Sequence, residues 1–139
     1  MEKILCSACL LGMACRFDGA SKPHNKVRAL TQTHLLIPIC PEQLGGLPTP
    51  REPSEIQGAQ VLTSGGNNVT RNFEKGAEEV VRIAKLFNIT KAILKSKSPS
   101  CGKGFIYDGT FSKTLILENG ITTQKLLENG IEVISEEEL

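Results

Sequence analysis

Residues 70–96 read TRNFEKGAEEVVRIAKLFNITKAILKS. The apolar side chains Phe73, Ala77, Val80, Val81, Ala84 and Phe87 return every three or four residues, with Arg71, Glu74, Glu78, Glu79, Arg82 and Lys85 mainly between them. This is the pattern of a helix with one face against a core. The spacing predicts a helix over 71–87, with Thr70 as N-cap and Asn88 as its end. The stretch 89–96 then changes to a short apolar run of strand length. It empties into a polar turn, KSPSCG (97–102), that ends in a cysteine and a glycine.

The same order recurs on either side. KILCSAC (3–9) reads as a strand, followed by a glycine-punctuated loop over 10–23. HNKVRALTQT (24–33) predicts a short helix and HLLIPIC (34–40) a second buried strand, where Pro38 suits a sheet edge or strand end. Residues 41–58 are rich in proline and glycine and read as a loop, long enough to be functional. QVLTSGGNNVT (60–70) predicts a hairpin closing at Gly65-Gly66, and a second short hairpin is expected over 105–117. A helix over 122–129 with Thr122 as cap, then a last strand IEVI (131–134), complete the chain. Strands alternating with helices predict an α/β fold: one domain over 1–139, Rossmann-like and three-layered, with a mostly parallel sheet. In such sheets ligands sit beyond the carboxyl ends of the strands, where the topology switches. Cys9, Cys40 and Cys101 each fall near the end of a predicted strand, so three distant thiols are expected to share one rim.

Composition narrows the classes. The 16 Lys+Arg offset 15 Asp+Glu, which gives no global charge for a nucleic acid or a membrane surface. Aromatic residues are 4% and tryptophan is absent, too few for a platform that stacks single-stranded bases. The N-terminus lacks the basic start and long apolar stretch of a secretion signal, and no segment reaches membrane-spanning length, so a cytoplasmic location is expected. Five cysteines in a reducing compartment argue against a disulfide framework. Metal binding, catalysis and plain burial remain open for each thiol.

A zinc ribbon needs two close cysteine pairs. Cys6 and Cys9 have that spacing, but no second pair follows. Alternation along a strand puts Cys6 and Cys9 on opposite faces, which makes Cys6 a core residue. Cys15 lies in a loop and is expected outside the rim. Three thiolates have a meaning of their own, since a cubane cluster normally takes four and a missing ligand leaves one iron open as a Lewis acid. Three unrelated free thiols would give the same spacing. Their neighbours bear on the choice: Glu42 stands two residues after Cys40, and Ser98 three before Cys101. A carboxylate and a hydroxyl beside an open metal position suit the activation of water. Each also has an ordinary reading, as a solvated loop acid and a turn-starting serine.

Taken together, SACLLG (7–12), CRFDG (15–19), CPEQLGGLPTPR (40–51), Val69-Thr70 with Phe73 and Gly76-Ala77, KSPSCG (97–102) and YDGTFS (107–112) resemble the thiouracil desulfurase family. The similarity runs from about Lys3 to Val133 with the motifs in order. It implies a 4Fe–4S cluster on Cys9, Cys40 and Cys101, with Glu42 and Ser98 as an acid–base pair. It also implies removal of sulfur from a small thiolated substrate such as 2-thiouracil. In that chemistry the cluster serves as Lewis acid and sulfur acceptor, without electron transfer. A non-enzymatic iron–sulfur or sulfur carrier is the rival reading, and a thiol-redox or zinc protein on Cys6 and Cys9 is another.

The remaining polar residues have simpler explanations. Asp18-Gly19 and Asp108-Gly109 read as turns. Arg16 and Arg51 read as structural or solvated, and Lys95, Lys97 and Lys103 as solvated or as compensation for cluster charge. His24 and His34 lie away from the motifs.

Overall fold

A computed structural model describes residues 1–139. In chain order the elements are β1 (Glu2–Ser7), α1 (Asn25–Ala29), β2 (His34–Ile39), α2 (Pro41–Leu44), β3 (Ser54–Gln57), β4 (Gln60–Thr63), α3 (Thr70–Leu86), β5 (Lys91–Leu94), β6 (Phe105–Tyr107), β7 (Leu115–Leu117), α4 (Ile121–Glu128) and β8 (Glu132–Ser135). Strands β2, β1, β5 and β8 form one sheet in that order, and every pairing in it is parallel. The chain steps from β1 to β2 on one side and later to β5 on the other, so the carboxyl ends of β1 and β5 flank a topological switch point.

Alternation within these strands feeds two cores. Leu5, Ala92, Leu94 and Val133 meet Val80, Val81 and Ala84 of α3 and Leu126 of α4 on one face. Ile4, Cys6, Leu36 and Ile93 meet Val27 of α1 and Leu10 on the other. Helices therefore cover both faces of the parallel sheet, the three-layer arrangement expected from the sequence. No helix is long and apolar enough to cross a membrane.

Several local readings need correction. The expected loop 41–58 contains α2 and β3. The main partner of β4 is β3, through a turn at Gly58-Ala59. The Gly65-Gly66 turn only folds Asn68 back onto Leu62. Thr70 is the first residue of α3 and not its cap, because its hydroxyl accepts a hydrogen bond from the Val61 amide at 2.8 Å. Asn88 does end the helix, in the left-handed region at φ 55°. Thr122 does not cap α4. Its hydroxyl is fully buried with no hydrogen-bond partner.

What satisfies the first turn of α4 is the cysteine loop itself. The amides of Ile121 and Thr122 donate to the carbonyls of Pro99 and Ser100 at 2.9 Å each, and the Thr123 hydroxyl donates to the Cys101 carbonyl at 2.7 Å. Gly120 is required at this junction, since a Cβ there would stand 2.6 Å from the Ser100 carbonyl. The loop is thus held by the amides a helix start leaves unpaired.

Candidate active site

Beyond the carboxyl ends of β1, β2 and β5 lies a cavity of about 610 Å³. Cys40 follows β2 directly, Cys9 sits in a short helical turn (Ala8–Leu11) just past β1, and Cys101 hangs from the loop after β5. All three line the cavity, as do Glu42 and Ser98. The sheet therefore gathers the five residues that the sequence singled out.

The other two cysteines part company. Cys6 is fully buried among the α1-side core residues and does not line the cavity. The reason given for that from alternation does not hold, because Cys9 lies past the end of β1 and shares the core cluster with Cys6. Cys15, expected outside, lines the cavity with its thiol in hydrogen-bonding reach of those of Cys9 and Cys40. The 10–23 loop folds back over the rim to bring it there: the Lys22 amide donates to the Cys9 carbonyl at 3.0 Å.

Three of these thiols, Cys15, Cys40 and Cys101, are raised above the ordinary cysteine value. Burial pushes Cys101 up to about 12, against the hydroxyls of Ser7 and Ser100, which pull it down. Cys40 is raised by its bond with Cys15 and by burial. Cys15 is lowered by Cys40, but the bond with Cys9 and burial raise it further, so it ends above its ordinary value. No three His, Cys, Asp or Glu side chains converge tightly enough to grip a single metal ion.

Polar groups beside Cys40 and Cys101 form one array. Glu42 lies in the first turn of α2 with Pro41 at the helix start, a favoured place for both a carboxylate and a proline. Arg51 pairs with it through Nε at 2.9 Å to Oε1. The other guanidinium nitrogens donate to the Cys15 and Pro48 carbonyls and the Thr49 hydroxyl. Arg51 is therefore a structural clamp on the acid. On the second carboxylate oxygen, Oε2, the Ser100 hydroxyl donates at 3.0 Å. Ser100 in turn lies 3.0 Å from the Ser98 hydroxyl.

Arg16, Lys22, Lys97 and Lys113 also line the cavity, none within ion-pair distance of a carboxylate. Lys95 is tied to Glu136 at 3.0 Å and Lys103 to Glu138 at 2.9 Å. Glu55 is buried in the wall, where one of its oxygens accepts the amides of Gly109 and Phe111 at 3.0 Å each.

A sequence model of the 2-thiouracil desulfurase family matches residues 4–138. The chain belongs to that family. Among its relatives is the uncharacterized protein YbbK of Bacillus subtilis (strain 168). The two are 43% identical over 146 residues, which cover 98% of this chain and 97% of that one. A solved structure of a [4Fe-4S]-dependent thiouracil desulfidase, TudS, matches with a TM-score of 0.94 and 45% identity. The match covers 100% of this desulfurase-family chain and 93% of that one. The resemblance read from the motifs and the α/β fold both hold.

Sequence reasoning missed three cavity residues of this desulfurase-family chain. Ser100 alternates with Ser98 in the KSPSCG turn, a pattern that would have pointed to it. Cys15 sits in the CRFDG motif but needs the returning loop to reach the rim. Nothing local marks Glu55, whose partners are more than fifty residues away.

Proposed function

We propose that this chain is a desulfidase. Its substrate is the thiocarbonyl of a small thiolated compound of the 2-thiouracil kind, and its products are the oxo compound and hydrosulfide. The observation that carries the reading is the meeting, in one cavity, of three thiols from three strand ends with a hydrogen-bonded carboxylate–hydroxyl array. A carrier of clusters or sulfur has no use for that array, and Cys6, buried away from Cys9's cavity, leaves no site for a zinc pair.

The residues fit a 4Fe–4S cluster. Thiolates are its usual ligands, and Cys9, Cys40 and Cys101 line one cavity of about 610 Å³. When bound, the cluster supplies a Lewis-acidic iron without a protein ligand, which polarises the thiocarbonyl. Exchange of sulfur for the oxygen of water leaves the oxidation level of the carbon unchanged, so no electron acceptor is needed. Arg51 fixes the orientation of Glu42 and offsets its charge in a partly closed site. Each Glu42 oxygen spends one lone pair on Arg51 or Ser100 and keeps another for a proton. Glu42 is thus the proton acceptor as water attacks, and Ser98 positions the water or passes its proton.

The test is anaerobic reconstitution with iron and sulfide, followed by an assay of hydrosulfide release from thiolated pyrimidines. About four irons per chain are expected. Serine at 9, 40 or 101 should remove most of them, whereas Cys6→Ser and Cys15→Ser keep them. Glu42→Gln should retain the iron and lose turnover by a factor of about 100 to 10,000. Wild-type turnover in Glu42→Gln would remove the acid from the mechanism, and iron loss in Cys15→Ser would redraw the ligand set.

A further inference from the structure

We propose that Ser100 passes protons between Ser98 and Glu42, so that the three side chains act as one relay. This deepens the desulfidase reading and rests on it. The geometry comes from counting protons. A serine hydroxyl has one hydrogen to give. Ser100 gives its hydrogen to Oε2 of Glu42 at 3.0 Å, the nearer partner and a charged acceptor, in preference to the Cys101 sulfur, a weak acceptor at 3.7 Å. In the 3.0 Å contact between the two serines, Ser98 is therefore the donor and Ser100 the acceptor. The chain of donors runs one way, from Ser98 through Ser100 to Glu42.

The two ends differ in surroundings. Ser100 is buried at 2% exposure, while Ser98 is partly open in the cavity wall. The amides of Ser100 and Cys101 both point at the Ser98 oxygen, at 3.1 and 3.0 Å. That oxygen is the atom on which negative charge grows as its proton departs, and two amides facing it stabilise that charge.

The step balances. As water adds to the substrate carbon, one of its O–H bonds breaks and a new one forms on Ser98. It forms at the lone pair that the Ser100 amide holds at 3.1 Å and gives up in the step. The proton of Ser98 moves to Ser100, and that of Ser100 to Glu42. Both serines end neutral and Glu42 carries one proton. The reverse sequence returns it to the departing sulfur.

The test uses reconstituted holoenzyme and 2-thiouracil, backed by a panel of other thiocarbonyls. Ser100→Ala should keep its iron and a KM within about twofold of wild type, with kcat down by about tenfold or more. In mixtures of H2O and D2O, wild-type kcat should follow a curve, which marks more than one proton in flight, and Ser100→Ala a straight line. The double variant Ser98→Ala/Ser100→Ala should be within about threefold of the slower single variant, because members of one unit are not additive. Ser100→Thr, which keeps the hydroxyl, should recover activity. Wild-type kcat in Ser100→Ala, or double losses equal to the product of the single ones, would overturn the relay and leave the function standing. Iron lost with the Ser100 hydroxyl would also overturn it, by assigning Ser100 to Cys101. A wild-type holoprotein inert on every thiocarbonyl overturns the desulfidase reading, and the relay with it.

Discussion

Glu42 sits on a four-residue helix that has no stability of its own, and two glycines outside the cavity decide where that helix lies. A Cβ added to Gly76 in the middle of α3 would stand 2.0 Å from the Pro41 carbonyl oxygen, and one added to Gly45 would stand 2.0 Å from the Asn72 carbonyl. Gly76→Ala therefore forces α2 and α3 apart by about 1 Å before the contact becomes tolerable. Overpacking of this kind costs about 1–3 kcal/mol, offset by the roughly 1 kcal/mol that alanine gains over glycine inside a helix. The expected net loss is up to about 2 kcal/mol. The larger effect falls on the site. Pro41 is the residue before Glu42, and a shift of about 1 Å takes the 2.9 and 3.0 Å bonds to Arg51 and Ser100 out of hydrogen-bond range. Displacement of an acting group by that much is worth about 100-fold in rate. Urea unfolding gives the stability, and hydrosulfide release per bound iron gives the rate, so that any cluster lost is divided out. Lys75→Ala, one residue earlier on the exposed side of the helix, is the control. Full turnover in Gly76→Ala would refute the claim that the glycine contact sets the place of Glu42.

Two further predictions concern stability. Burial raises the Glu136 carboxyl, but Lys95 and the Ser96 amide outweigh it and hold the group below its ordinary 4.5. A lowered folded value means that this contribution is complete above about pH 4.5 and is lost as pH falls through the folded value. Glu136→Gln should flatten that acid limb in urea melts from about pH 3 to 6, and an unchanged limb would discount the pair. Thr122→Val removes a buried hydroxyl that has no partner, and should raise the unfolding free energy by about 1 kcal/mol. A loss of similar size would mean that the hydroxyl is satisfied.

The parts legible in the sequence are those whose cause is local. Seventeen residues of α3 carry one apolar face, so period alone locates the helix. The strands before Cys9, Cys40 and Cys101 are short apolar runs ending in polar turns, and their carboxyl ends do gather at one rim. The parts that were not legible depend on distant partners. Strand β3 looks like loop until β4 pairs with it, and α2 needs the glycines of Gly45 and Gly76 to lie against α3. Thr122 has the right residue type for a cap, but the loop carbonyls take the amides it would have served. Cys15 reaches the cavity only because the loop after β1 returns across the rim.

The rim thiols come from stretches separated by 31 and 61 residues, and they meet only when β2, β1 and β5 are in register. Closing such spans is costly in an unfolded chain, and parallel pairing is slow to form. No fragment that stops before residue 101 can contain the site. During synthesis the first two thiols are therefore made well before the third. On the proposed ligand set, cofactor loading is a late event that requires β2, β1 and β5 to be in register.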